Sequence, residues 1–201
     1  MTGDQATRPV AVLIGPPGAG KSTVGPLLAA LLGAEFAETD AMVEHAAGKP
    51  VSDIFISDGE AAFRALERAA VAGALAGHRG IVALGGGAVM DPGTQQLLAG
   101  HRVVYLRTGF ATAVKRVGLD VPRPLLLGNP RARMRELLDE RLPVYESLAR
   151  ITVTTDDRDP QEVADEVAAL VTARIAAAAG EGAGTGAETE GAGWPNGDEG
   201  A

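Results

Sequence analysis

Apolar and polar positions along this chain follow two alternating periods. Short apolar runs rich in β-branched residues stand at 10–14, 35–39, 80–84, 102–106 and 151–155, and each is predicted to be a strand. Between them, apolar residues recur three and four positions apart over about 21–33, 41–47, 60–77, 93–99, 110–117, 131–148 and 160–176, which predicts helices. The last of these opens on Asp159-Pro160, an acceptor side chain followed by proline at the first helical position, with Glu162 close behind. Strands that alternate with helices pair in parallel and carry helices on both faces, so the fold class is α/β. In such sheets ligands sit outside the carboxyl ends of the strands. The loops after the strands are therefore where chemistry is expected.

The loop after the first strand sets the chemical class. Residues 15–22 read Gly-Pro-Pro-Gly-Ala-Gly-Lys-Ser, a complete G-x-x-x-x-G-K-S/T phosphate-binding loop behind the apolar run Val10-Ala-Val-Leu-Ile14. Backbone N–H groups of such a turn converge on an anion, and the next helix aims its positive end at the same point. Gly18, Ala19, Gly20, Lys21, Ser22 and Thr23 are the expected ATP-binding residues. Lys21 brings an ammonium to the outer phosphates, and the Ser22 hydroxyl is suited to ligate Mg²⁺.

Other strand ends add an acceptor side. Glu38-Thr39-Asp40 follows the second strand, and Asp40 has two open roles: a carboxylate facing the phosphate loop, or the cap of the next helix. Leu84-Gly-Gly-Gly-Ala88 follows the third strand and leaves bare backbone for the close approach of a ligand. Val121-Pro-Arg-Pro-Leu125 lies in a Gly- and Pro-rich stretch at 118–130 that suits a lid carrying one cation, Arg123. Arg64 and Arg141 would suit an anionic acceptor if they converge, since arginine binds carboxylates in bidentate fashion. Spacing alone does not bring these two together.

Composition trims the alternatives. The 201 residues make about one domain, and the absence of cysteine excludes disulfide frameworks, zinc–thiolate sites and cysteine nucleophiles. His45, His78 and His101 are too far apart for a metal motif and read as surface or helix-end residues. The first residues lack an apolar signal core and no apolar run approaches the ~20 residues of a membrane span, so a cytoplasmic protein is expected. The net charge of −8 argues against nucleic-acid binding. Five of those charges fall in 177–201, leaving the body near −3. Residues 1–8 and 177–201 are expected to be disordered, the latter an acidic Gly/Ala-rich tail in which Trp194 is a bystander.

In order along the chain, the phosphate loop, Glu-Thr-Asp, Ser52-Asp-Ile-Phe-Ile-Ser-Asp-Gly-Glu60 with Phe63-Arg64, Gly-Gly-Gly-Ala, Arg-Pro-Leu-Leu and Arg141-Leu-Pro-Val-Tyr closely resemble shikimate kinase. The resemblance covers about 9–175, and the domain is expected over 9–176. It implies a three-layer α/β/α sandwich of the nucleoside monophosphate kinase type. The sheet would be five-stranded and parallel, of order 2-3-1-4-5, with a mobile lid at about 118–130. It implies transfer of the ATP γ-phosphoryl group to the 3-hydroxyl of shikimate, a step towards chorismate and the aromatic amino acids, by a monomer using Mg²⁺.

Residue roles follow from the same resemblance. Asp40 would hydrogen-bond or deprotonate the acceptor hydroxyl, and Arg64 and Arg141 would grip the shikimate carboxylate. Glu67 would orient Arg64, the backbone of Gly85, Gly86 and Gly87 would frame the ring, and Phe55 and Phe63 would shape its apolar side. Arg123 becomes the lid arginine that meets the transferring phosphate; Arg116 and Pro160 would sandwich adenine, with Arg158 nearby. One position departs from the family: Glu38 stands where many members carry aspartate, which bears on the magnesium shell that Ser22 and Glu38 would share. A gluconate-type sugar-acid kinase and a nucleotide-binding regulator without transfer activity fit parts of the pattern. The triple glycine and Arg-Pro-Leu-Leu disfavour the first, and the joint presence of Lys21, Ser22, Asp40, Arg64, Arg123 and Arg141 disfavours the second.

Overall fold

The five apolar runs form five strands: β1 (Ala11–Ile14), β2 (Phe36–Glu38), β3 (Ile81–Ala83), β4 (Val103–Arg107) and β5 (Ile151–Thr154). A computed structural model of the chain describes residues 8–118 and 130–183. The sheet is wholly parallel, in the order β2-β3-β1-β4-β5 that the resemblance implied. β1 is central and every one of its residues is buried, which is why it reads as an unbroken apolar run rather than an alternating one. Leu13 pairs with Ala83 on one side and Val104 on the other, so the phosphate loop and the glycine run leave the sheet side by side.

Alternate strand residues feed two separate cores. Ala11, Leu13, Ala83 and Leu106 pack under α1 (Lys21–Leu31) and α8 (Pro160–Ala183), against Leu28, Val167 and Val171. Val12, Ile14, Val82 and Tyr105 pack under α4 (Glu60–Gly77), α5 (Pro92–Leu98) and α7 (Pro130–Leu148), against Val71, Leu98 and Tyr145. Each such buried aliphatic side chain contributes about 1.5–3 kcal/mol. These two cores make the three-layer sandwich. At Gly25 in α1 an added Cβ would lie 2.7 Å from Phe36 Cζ, so the missing side chain is what lets β2 pack against this helix.

Three differences from the sequence expectations stand out. A short helix, α3 (Val51–Ser57), precedes α4 and packs Ile54 against Val43 of α2 (Thr39–Ala47) and Phe63. Its seven residues span barely two turns, too few for a periodic signal. The helix expected to end at 176 continues to Ala183; Ala177, Ala178 and Ala179 favour the extension by their high helix propensity, while Gly180 and Gly182 do not. Arg8, expected in a disordered segment, donates to the Gly100 carbonyl at 3.2 Å. The remaining helix, α6 (Phe110–Val117), lies where expected. Of the segment expected at about 118–130 to form a lid, residues 119–129 with Arg123 lie outside the described residues, as do residues 1–7 and 184–201.

Candidate active site

The turn after β1 is shaped by glycines at positions no other residue fills well. Gly18 has φ of 80° and an added Cβ would lie 2.8 Å from the Ala113 carbonyl; Gly20, at φ of 94°, is the N-cap of α1. The helix N-terminus thus opens directly onto the turn. Lys21 Nζ donates to the Gly15 and Pro16 carbonyls at 2.7 and 3.1 Å, so the loop itself holds the ammonium over its own rim.

Across the turn stands the end of β2. The Ser22 hydroxyl donates to Glu38 Oε1 at 2.5 Å. These are two adjacent hard oxygen donors, the type that magnesium takes one or two of while phosphates and water complete its shell. Glu38 is the N-cap residue of α2 and Asp40 lies in its first turn, so Asp40 is not the cap. Between them Thr39 is fully buried and its Oγ1 accepts from the Gly85 N–H at 3.0 Å. That single contact fastens the glycine run to the end of β2.

A cavity of about 480 Å³ joins these pieces. Gly18, Lys21 and Ser22 line its phosphate end, with Ala19 buried behind and Gly20 and Thr23 also on the wall; Asp40, Gly85 and Gly86 line the other end. The glycines are required by what stands against them. A Cβ at Gly85 would meet Asp40 Oδ1 and lie 2.9 Å from Glu67 Oε1, and one at Gly87 would lie 2.7 Å from Arg64 Nη1.

One buried carboxylate, Glu67, feels both arginines, Arg64 by an ion pair and Arg141 by its charge. Arg64 donates to Glu67 at 2.6 Å and to Glu60 at 3.2 Å. Burial pushes the Glu67 carboxyl above its ordinary pKa, Arg64 opposes that, Asp40 reinforces it and Arg141 opposes it. Burial pulls Arg64 down, but its carboxylate partners more than offset this and keep it charged. Arg141 is only 7% exposed and its Nε is a buried donor with no hydrogen-bond partner. The Phe63 ring lies 5.2 Å under the Arg64 guanidinium, and the Phe55 ring packs against Phe63 at 4.5 Å.

At the far side of the phosphate loop, Arg116 bridges two segments. It donates to the Gly18 carbonyl at 3.3 Å, to Thr155 Oγ1 at 3.0 Å and to the Thr155 carbonyl at 2.6 Å. Arg158 pairs with Glu166 at 2.6 Å, and Pro160 is exposed as the first residue of α8. Asp156 ties this loop to the start of α6, accepting from Thr108 Oγ1 at 2.8 Å and from the Gly109 N–H at 2.9 Å. Burial pushes Asp156 up, but these hydrogen bonds and Arg116 outweigh it and hold its pKa below the ordinary carboxylate value.

Sequence reasoning missed four participants: Thr39, Thr155, Asp156 and Tyr145. Tyr145 stood in the quoted Arg-Leu-Pro-Val-Tyr motif without a role. Its spacing of four from Arg141, which puts both on one face of α7, was the available signal. Threonine and aspartate contacts across 39 to 48 residues carry no local signal.

Known proteins resemble this chain over most of its length. A family model described as shikimate kinase matches residues 17–172. A shikimate kinase of Thermobifida fusca is 63% identical over 163 residues, covering 81% of this chain and 95% of that protein. One of Salinispora arenicola is 58% identical over 163 residues, covering 81% and 98%. The structure of a shikimate kinase from Acinetobacter baumannii in complex with shikimate superposes with a TM-score of 0.79 at 33% identity, covering 85% of this chain and 96% of that one. By motif, fold and similarity alike, this chain belongs to the shikimate kinase family.

Proposed function

We propose that this protein transfers the γ-phosphoryl group of ATP to the 3-hydroxyl of shikimate, giving shikimate 3-phosphate and ADP. The observation that carries the reading is the shared cavity, which has phosphate-loop residues at one end and Asp40, Gly85 and Gly86 at the other. A donor and an acceptor bound in it would be neighbours, and phosphoryl transfer depends chiefly on such positioning and on charge neutralisation.

In this reading the loop N–H groups and Lys21 hold the outer phosphates and draw charge towards the leaving oxygen. Ser22 and Glu38 are the residues fitted to hold magnesium, which when bound neutralises charge between the phosphates. Asp40 orients the acceptor hydroxyl and takes its proton as the new O–P bond forms and the bond to ADP breaks. Arg64 and Arg141 receive the substrate carboxylate, for which the unpartnered Arg141 Nε is a ready donor. Glu67 holds Arg64 in place, and Phe55 and Phe63 limit the apolar side. Arg116, Arg158 and Pro160 border the adenine, and Arg123 closes over the phosphates from the lid.

The test is ADP release from ATP with magnesium, alone and with shikimate or gluconate added separately. Release that depends on shikimate and not on gluconate is the expected outcome. Release with gluconate alone would replace the acceptor, and nucleotide binding without release would replace the activity.

A further inference from the structure

Between Leu84 and Ala88 the chain contains three consecutive glycines, and such a run has little intrinsic preference for which way its peptide groups face. In this fold most of those groups are held. The Gly85 N–H is bound by Thr39 Oγ1, and the Gly85 and Gly87 carbonyls accept from the N–H groups of Ala88 and Met90 at 3.1 and 3.0 Å. The Gly86 carbonyl is held from outside the loop, by the hydroxyl of Tyr145. That hydroxyl arrives from α7, 59 residues away in sequence.

We infer that Tyr145 is a positioning residue for acceptor binding: its hydroxyl fixes the Gly86–Gly87 peptide so that the Gly86 oxygen points into the protein and not towards the substrate. Gly86 lines the cavity, and a free peptide there could turn its carbonyl towards an incoming carboxylate or hydroxyl-bearing ring and repel it. The tyrosine is built for this task. It is 1% exposed and its ring stacks on Tyr105 at 5.2 Å and 17°, within the core that also contains Ile14 and Leu84. A ring so held cannot follow a wandering carbonyl, so the carbonyl must come to it. Burial raises the Tyr145 pKa, with Arg141 opposing through charge and a hydrogen bond, so the phenol stays protonated and remains a donor. Arg141 lies one helical turn before Tyr145 on α7 and its charge acts on the same phenol, so the tyrosine that holds the glycine backbone neighbours a proposed carboxylate-binding arginine.

The inference rests on the shikimate kinase reading, and its test separates the two. Tyr145→Phe removes the hydroxyl and keeps the stacked ring. The expected result is a rise of about tenfold in KM for shikimate, with KM for ATP within about twofold and a smaller change in kcat. Tyr105→Phe, which removes the other hydroxyl of the stack, is expected to leave both KM values unchanged. An unchanged KM for shikimate in Tyr145→Phe, an equal rise for both substrates, or the same rise in Tyr105→Phe would overturn the positioning role. Wild-type protein that fails to release ADP with shikimate would instead overturn the function reading.

A measurement on the unaltered protein covers the case of a poorly folding variant. The chain has two tyrosines, so protein labelled with ¹³C at tyrosine Cζ gives two resonances. One of them is expected to shift on titration with shikimate and not with ATP alone. Two silent resonances, or shifts produced equally by ATP, would reject the coupling.

Discussion

The Ser22 hydroxyl and the Glu38 carboxylate, 16 residues apart in sequence, are joined by a 2.5 Å hydrogen bond across the mouth of the phosphate loop. The glutamate arm spans the gap from β2 to α1 directly. Shortening it by one methylene in Glu38→Asp breaks that reach. The apparent magnesium requirement is expected to rise by roughly tenfold, measured by metal titration at fixed ATP. An unchanged requirement would show that the extra methylene is neutral.

Lys21 Nζ is held by the Gly15 and Pro16 carbonyls, contacts within the turn itself and outside both cores of the sheet. Lys21→Ala is therefore expected to lower kcat by at least about 10²–10³ with little change in Tm. Near-normal kcat in a folded variant would remove Lys21 from the transfer step.

Arg64 and Arg141 should differ in stability while agreeing in kinetics. Each Ala variant is expected to raise KM for shikimate about 10- to 100-fold, the range for a charge-assisted hydrogen bond. Arg64→Ala also strips the buried Glu67 carboxylate of its 2.6 Å partner. Its Tm should fall at neutral pH and recover as pH drops through the raised Glu67 pKa towards the ordinary glutamate value, where the carboxyl is protonated and the buried charge disappears. A Tm deficit independent of pH would show that Glu67 is not the source.

Asp156 offers the opposite sign. Its pKa is lowered in the fold, so its contribution is present above the ordinary aspartate value of 3.8 and is lost as pH falls through the lower folded value. Asp156→Ala is expected to cost about 1 kcal/mol at pH 7, a difference from wild type that disappears in acid. Because Asp156 ties the Thr155 loop to α6, which carries Arg116, KM for ATP should rise while KM for shikimate does not.

Cutting the chain after residue 176 should leave activity unaltered. Among the residues whose burial is described, the last buried position of α8 is Val171 and positions 172–178 are exposed, so the helix has already left the core before the cut. A large loss of kcat or a raised KM for ATP on assay of the shortened chain would give the C-terminal residues a role at the nucleotide site.

What could be read along the chain was what local physics decides. The phosphate loop and the five strands are written in contiguous residues, because a turn needs its own glycines and a buried strand its own apolar run. Sheet order and the roles of Arg64, Arg141 and Asp40 came from the family resemblance. The sheet order is observed, the placement of Asp40 as non-cap is observed, and Glu67 pairs with Arg64 while feeling the charge of Arg141. Short elements escaped for the same local reason: α3 has too few turns to show a period.

The tertiary structure alone decided the contacts that hold the site in shape. Thr39 to Gly85, Tyr145 to Gly86, and Arg116 to Thr155 each join residues 39 to 59 positions apart. No pattern of neighbours along the chain encodes them, since each pair meets only after the sheet order places their strands and helices together. The sequence by itself determined that a phosphate-binding loop ends the first strand. The fold determined what surrounds that loop, because burial and hydrogen-bond satisfaction are properties of the packed chain and not of any one segment.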